Sequence, residues 1–282
     1  MRNFQLKTLL FIMLILAFLA AGEFSAMAQD TNPPSLPESA GIDATKENAI
    51  TAVPNRPTFS TTAETVQMGI FEIEYGLEAA WGHQNINGLL KFGLTRNLEL
   101  RFANLPFERD AGIAGLGDSA AGLKYRLFEE TGAWPTIAFL YGATLPSADA
   151  GLGADGVGHA AGVLLSKDFG KHHVDYNEIV EWRSRPHSAG FNRDYFTALA
   201  YSRLLTKKLG IAVEAAGYSR VNAETPSTFT ILQALTYSPS SRLVLDSGFY
   251  FAVHGDLPTA TFFAGVTYSV ADLYRVLRPA HR

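Results

Sequence analysis

Residues 71–81 read FEIEYGLEAAW, and the alternation in this stretch restricts the fold more than any other feature of the chain. Phe71, Ile73, Tyr75, Leu77, Ala79 and Trp81 fall in one register, and Glu72, Glu74, Gly76 and Glu78 in the other. On a helix these side chains would scatter around the cylinder without forming an apolar stripe. On a strand, where successive side chains point to opposite faces, they separate into one apolar and one charged face. Such a sheet needs a different surrounding on each side.

The pattern recurs. Leu98, Leu100 and Phe102 oppose Glu99, Arg101 and Ala103. Ala121, Leu123, Tyr125 and Leu127 oppose Gly122, Lys124 and Arg126. Leu243, Leu245, Phe249 and Phe251 oppose Asp246 and Gly248. About twelve such segments, each on the order of ten residues long, run from Thr65 to Val270, a length suited to tilted membrane strands. Short connections (95–97, 168–172, 206–209 and 238–241) mostly alternate with long ones rich in Gly, Pro and Asp (104–117, 146–158, 184–194 and 219–227). Short turns at one end and long loops at the other are the habit of an up-and-down membrane barrel. The expected fold is therefore all-β, an antiparallel up-and-down transmembrane β-barrel of about twelve strands, its apolar face toward lipid and its charged face toward a polar lumen. Closure leaves no unpaired edge in hydrocarbon. Aromatic residues near segment ends suit two interfacial belts, with Trp81, Trp182, Tyr195, Tyr218 and Phe251 on the loop side and Trp134, Tyr125, Tyr201, Tyr237 and Tyr268 on the turn side. One segment resists. In HVDYNEIVEWR, Glu178 shares a face with Val174, Tyr176, Val180 and Trp182, and a bulge near Asn177–Ile179 would be needed to turn it inward.

The beginning of the chain fits export. Arg2 and Lys7 precede the apolar run Leu9–Ala21, and Ala26-Met27-Ala28 is a small-x-small cleavage site, so residues 1–28 read as a secretory signal peptide. Residues 29–55, rich in Pro, Ser, Ala and Asn and without periodicity, read as a flexible periplasmic lead-in. The barrel is expected over 56–270 and a short tail over 271–282. There is no cysteine, which removes disulfide scaffolds and thiolate metal sites. No later stretch is long and apolar enough for a transmembrane helix. A formal net charge of −4 gives no sign of a nucleic-acid surface. The expected location is the outer membrane.

Three stretches resemble a large family of outer-membrane transporters named for the meta-pathway of phenol degradation. NRPTFSTTAETVQMGIFEIEYG (55–76) resembles its opening, through Arg56, Pro57, Phe59, Glu64, Thr65, Val66, Gly69 and Phe71. FGLTRNLELRF (92–102) resembles its second hairpin, and GLGDSAAGLKYRLF (115–128) its fourth strand. Met68 stands where the family usually has Pro. The resemblance implies an outer-membrane β-barrel with a transport role and little about the substrate.

On the charged register the lumen-lining candidates are Glu72, Glu74, Glu78, Lys91, Glu99, Arg101, Lys124 and Arg126, joined on later strands by Asp175, Glu181, Glu214 and Asp246. The expected wall is uneven, with a paired basic and acidic side facing a more acidic one, a field that would orient polar or cationic solutes. The function expected is a passive channel or transporter for small solutes. The alternatives are a plugged structural or adhesive barrel that uses its long loops, and an outer-membrane lipid hydrolase. His83, His159, His172, His173, His187 and His254 lie mostly in connections and no G-x-S-x-G elbow accompanies them, so no catalytic residue is assigned and no enzyme is expected. The glycines of GLGD lack a following Lys-Ser/Thr, and GLGADGVGHA is one imperfect Gly/Asp repeat. No metal and no cofactor is expected. The expected partners are outer-membrane lipid and a small-molecule solute.

Overall fold

The computed structural model describes residues 50–186, 188–221, 226–255 and 257–277, and these fall within one compact unit. The signal sequence, the lead-in as far as residue 49 and the end of the tail lie outside them.

Thirteen strands follow in chain order: β1 (Ile70–Ala80), β2 (His83–Gly93), β3 (Leu98–Asp110), β4 (Ile113–Gly115), β5 (Ser119–Phe128), β6 (Thr136–Leu145), β7 (Gly158–Phe169), β8 (His172–Ser184), β9 (Phe191–Leu204), β10 (Leu209–Tyr218), β11 (Thr228–Ser240), β12 (Leu243–His254) and β13 (Ala260–Asp272). All pairings between them are antiparallel. β1 pairs with both β2 and β13, and β2 pairs onward with β3, so the sheet closes on itself. Twelve strands make the barrel. The thirteenth, β4, only folds back alongside the end of β3, opposite Glu108–Asp110. It forms inside what reads in sequence as the 104–117 loop. A one-turn helix, α1 (Leu273–Leu277), follows β13 beneath β1, where Leu273 N–H donates to Gly69 O and the Tyr274 hydroxyl to Leu94 O.

Alternation sorts the side chains as the sequence predicts. Leu77, Leu100, Phe102, Phe249 and Phe251 stand on the outer face, each about two-fifths exposed or more, while Glu72, Lys91, Glu99 and Lys124 on the inner face are fully buried. Glu178 faces outward with Val174, Tyr176, Val180 and Trp182, as its parity gives, and no bulge turns it inward, since β8 keeps continuous register with Val163 and Thr197 opposite it. Its carboxylate is satisfied locally, accepting from the Tyr176 hydroxyl at 3.0 Å and the Thr197 hydroxyl at 2.8 Å. Tyr218 faces inward rather than joining the belt, with its ring against Phe196 and under Arg183. His159 and His172 sit on the outer face near the strand ends, hydrogen-bonded to the hydroxyls of Tyr141 and Tyr201.

The first strand begins at Ile70, not at Thr65. Residues 50–69 form no ladder. Their polar groups bond instead to side chains of β1, β2, β3, β5, β6, β7, β8, β10 and β12. One segment can reach that many strands around a closed sheet only from within it. The segment is a strap across the barrel interior. It enters beside the β11–β12 turn, where Ala52 N–H donates to Ser241 O, and returns to the β2–β3 turn, where the Thr65 hydroxyl donates to Arg96 O. Both ends therefore lie at the short-turn end of the barrel.

Candidate functional site

The strap carries backbone N–H groups that no neighbouring strand can satisfy, and burying them unpaired would be costly. The barrel wall supplies acceptors. Val53 N–H donates to Glu72 at 3.0 Å, and the N–H groups of Asn55 and Arg56 donate to the two oxygens of Glu74 at 3.0 and 3.2 Å. Phe59 and Ser60 N–H both donate to Glu214 at 2.7 Å. Asn177 reads Thr61 in two directions, its Oδ1 accepting from N–H at 2.6 Å and its Nδ2 donating to the carbonyl at 2.8 Å. Ala63 N–H donates to Ser166 Oγ at 2.7 Å, and Ser166 in turn donates to Asp175 at 2.5 Å. Val66 N–H donates to Glu99 at 2.8 Å. Hydrogen bonds of this kind, to a charged acceptor in a water-poor interior, are the stronger class.

Cations on the wall complete the arrangement. Lys91 lies between Glu72, at 2.6 Å, and Glu74, and donates to Val53 O at 2.5 Å. Lys124 donates to Thr62 O at 3.1 Å and lies 3.4 Å from Glu99, which also holds Arg101 at 2.9 Å. These six groups, three acids and three bases, form one compensated network on β1, β2, β3 and β5. Alternation set them on one face, and the antiparallel register sets Glu72 opposite Lys91 and Lys91 opposite Arg101. Arg126 grips Glu64 of the strap at 2.7 Å, and the Thr136 hydroxyl reaches the other Glu64 oxygen at 2.6 Å. On the far side, Arg56 of the strap meets Asp246 through Nε and NH2, both at 3.2 Å, and donates to Asn87 at 2.8 Å. Gly76 and Gly265, paired across β1 and β13, make room for it, because a Cβ on either would collide with the guanidinium.

Eleven of the twelve sequence-derived candidates thus divide in two. Glu72, Glu74, Lys91, Glu99, Lys124, Arg126, Glu214 and Asp246 contact the strap directly, while Glu78, Arg101 and Asp175 stand behind or beside those contacts. The twelfth, Glu181, lies apart, paired with Arg183 at 2.7 Å; Arg183 also meets buried Asp194. The charge reading missed Asn87, Ser166 and Asn177, which are neutral, although each has the inward parity of its strand. It also missed Arg56 and Glu64, visible only as motif residues. The wall is not charged throughout. Leu164, Ile179, Phe196 and Ala216 form an apolar cluster against Ala63 of the strap, and Leu232, Tyr250 and Phe263 form a second.

Beside the strap lies a chamber of about 270 Å³. Asn55, Arg56, Phe59 and Ser60 border it from the strap, and Glu78, Asn87, Arg101 and Ala103 from the wall. The geometry is that of a polar interior narrowed by one segment of the chain itself.

Among solved structures, the fold matches a NanC porin with a TM-score of 0.56 at 9% identity, covering 71% of this chain and 100% of that one. A CymD monoaromatic hydrocarbon channel matches at a TM-score of 0.41 and 9% identity, covering 73% of this chain and 89% of that one. OmpT, an outer membrane protein of Vibrio cholerae, matches at 0.39 and 9%, covering 76% and 100%. No curated protein matches the chain. The closed twelve-strand barrel is that of an outer-membrane protein. The profile of the family described as "Putative MetA-pathway of phenol degradation" matches residues 54–270, strap and barrel together, and the chain belongs to that family.

Proposed function

We propose that the protein is a passive outer-membrane channel for small solutes, with the charged inner wall as its lining and the strap as its constriction. One observation carries this reading. The strap is held mainly by polar side chains, with a chamber of about 270 Å³ left beside it, rather than by a continuous apolar core that would seal the barrel. Arg56, Glu78, Asn87 and Arg101 border the chamber and give the path two cations, a carboxylate and an amide, and such walls sort solutes by charge and hydrogen bonding.

A plugged structural barrel is the second reading, and the apolar cluster packed on Ala63 favours it. Conductance of the purified full chain in planar bilayers separates the two. The channel reading expects small unitary steps for the natural sequence and larger ones for Arg56→Ala, which removes three hydrogen bonds holding the strap to Asp246 and Asn87. A barrel silent in both forms would leave the structural reading standing.

A further inference from the structure

The chamber beside the strap has an uneven electrical balance. Glu72, Glu74 and Glu99 are matched by Lys91, Arg101 and Lys124 in the shared network. Arg56 is matched by Asp246. Glu78 is different. Its oxygens accept from neutral groups, the Asn87 amide at 3.0 Å, the Asn85 amide at 3.4 Å and the Tyr250 hydroxyl at 3.1 Å. Arg56 reaches it only through the Asn87 amide, and that guanidinium already holds Asp246. The Arg56, Asp246 and Glu78 group therefore carries one negative charge beyond its cation.

A second observation points the same way. Asn55 is 8% exposed and its Oδ1 has no hydrogen-bond partner, although the residue borders the chamber. Turning the amide over would not help, because Nδ2 donates to Glu74 at 3.3 Å and a flip would set an oxygen against that carboxylate. Asn55 is thus an unmet acceptor just under the chamber surface, which a donor in the chamber reaches once the side chain turns. Phe59 adds an aromatic wall, with its ring edge-on to Tyr250 at 5.0 Å. A carboxylate without its own cation and an aromatic surface on the same chamber are features that receive an ammonium group.

From this arrangement we infer that the chamber is a recognition station for small organic ammonium solutes. The inference rests on the channel reading for its role in passage, but not for binding itself. The ammonium donates to Glu78, its alkyl part lies against Phe59 and Ala103, and the remaining Arg101 donors suit any hydroxyl or carboxylate the solute also carries. No covalent step is involved.

The test is binding to the full-length, detergent-solubilised barrel, read by saturation-transfer NMR with three probes of equal size: propylammonium, propionate and 1-propanol. Propylammonium is expected to bind in the millimolar range and the other two at least tenfold more weakly. Glu78→Gln keeps the shape and removes the charge, and should weaken propylammonium at least tenfold. Ala103→Lys removes no hydrogen bond and brings a positive charge into the chamber, so it should do the same and serves if the first variant does not fold. Equal or tighter binding of propionate, or propylammonium binding untouched by either variant, overturns the inference. Ammonium binding by a barrel that never conducts would uphold it while removing the channel reading. Conductance without ammonium binding would do the reverse.

Discussion

The strap can be tested by a substitution on the wall that never touches the covalent course of the strap. Glu214 sits on β10, 3% exposed, and accepts the N–H groups of Phe59 and Ser60, one on each oxygen. In Glu214→Gln one oxygen becomes an NH2 group that faces an N–H donor. One bond is lost and the other loses its charge assistance. Hydrogen bonds to a charged partner contribute roughly 1.5–3 kcal/mol each, so the docked strap should lose about 3 kcal/mol. With each 1.4 kcal/mol worth about a factor of ten, the undocked population rises on the order of 100-fold. The chain has no cysteine, so Ala63→Cys provides a single thiol at a strap position that is 0% exposed when docked. Its rate of modification by a charged methanethiosulfonate reports how often the strap leaves the wall. The expected result is slow labelling in the Ala63→Cys background and labelling on the order of 100-fold faster when Glu214→Gln is added. Glu181→Gln is the control, since Glu181 is inward and acidic but pairs with Arg183. Labelling rates that agree within about threefold with and without Glu214→Gln would refute the account of the strap as a segment held by wall carboxylates, as would an equal effect of the control.

Two further outcomes follow from groups outside the strap. Glu178 stands on the lipid face with only two hydroxyls to satisfy it, so Glu178→Leu should leave the stability of the reconstituted barrel unchanged or higher, whereas Glu178→Lys should lower it by about 2–4 kcal/mol if the site lies near mid-depth; urea unfolding from vesicles measures both, and a large loss in the leucine variant would contradict the outward placement. In the β5–β6 turn, the hydrogen bond from Lys167 and then the N–H of Asp168 hold the Glu130 carboxyl below its ordinary 4.5. A lowered carboxyl contributes stability that is present above the unfolded value and is lost as pH falls below about 4.5 toward the folded one, so the acid-side decline in the unfolding midpoint should be shallower in Glu130→Gln than in the natural sequence.

The barrel was legible because its signal is local. Period-two alternation identifies a strand from five or six residues, and in nine of the twelve barrel strands the ends found in the sequence fall within three residues of those observed. β9 starts four residues before Tyr195, at Phe191, where it pairs with Ser184 at the end of β8, and the two larger differences also have physical reasons. Thr65–Gly69 alternates acceptably but turns inward, where Val66 N–H meets Glu99 and its neighbours close a tight turn instead of a ladder. β3 continues to Asp110 because its last three residues pair with β2 on one side and with β4 on the other. No bulge near Asn177–Ile179 turns Glu178 inward, and two hydroxyls, one on the same strand and one across from it, lessen the cost of its carboxylate on the outer face.

The strap was not legible, for a different reason. Residues 50–64 have no periodicity, because most of their hydrogen-bond partners lie 16 to more than 190 residues away. No window of sequence contains both halves of such a bond. Alternation says which wall residues face inward, but it is silent on what they face. A charged inner face suggests water. Ile179, Phe196 and Leu164 on the same inner face argue against water alone, since an aqueous lumen would leave them uncovered. Both sets become consistent once the strap is in place. Carboxylates and amides on the wall satisfy its backbone, and the apolar patch receives Ala63, so a wall of mixed polarity is what a barrel needs in order to hold a segment of its own chain. That logic also accounts for the span of the family match, which begins at residue 54 rather than at the first strand: Arg56 and Glu64 are as much a part of the barrel's interior as the strands that bind them.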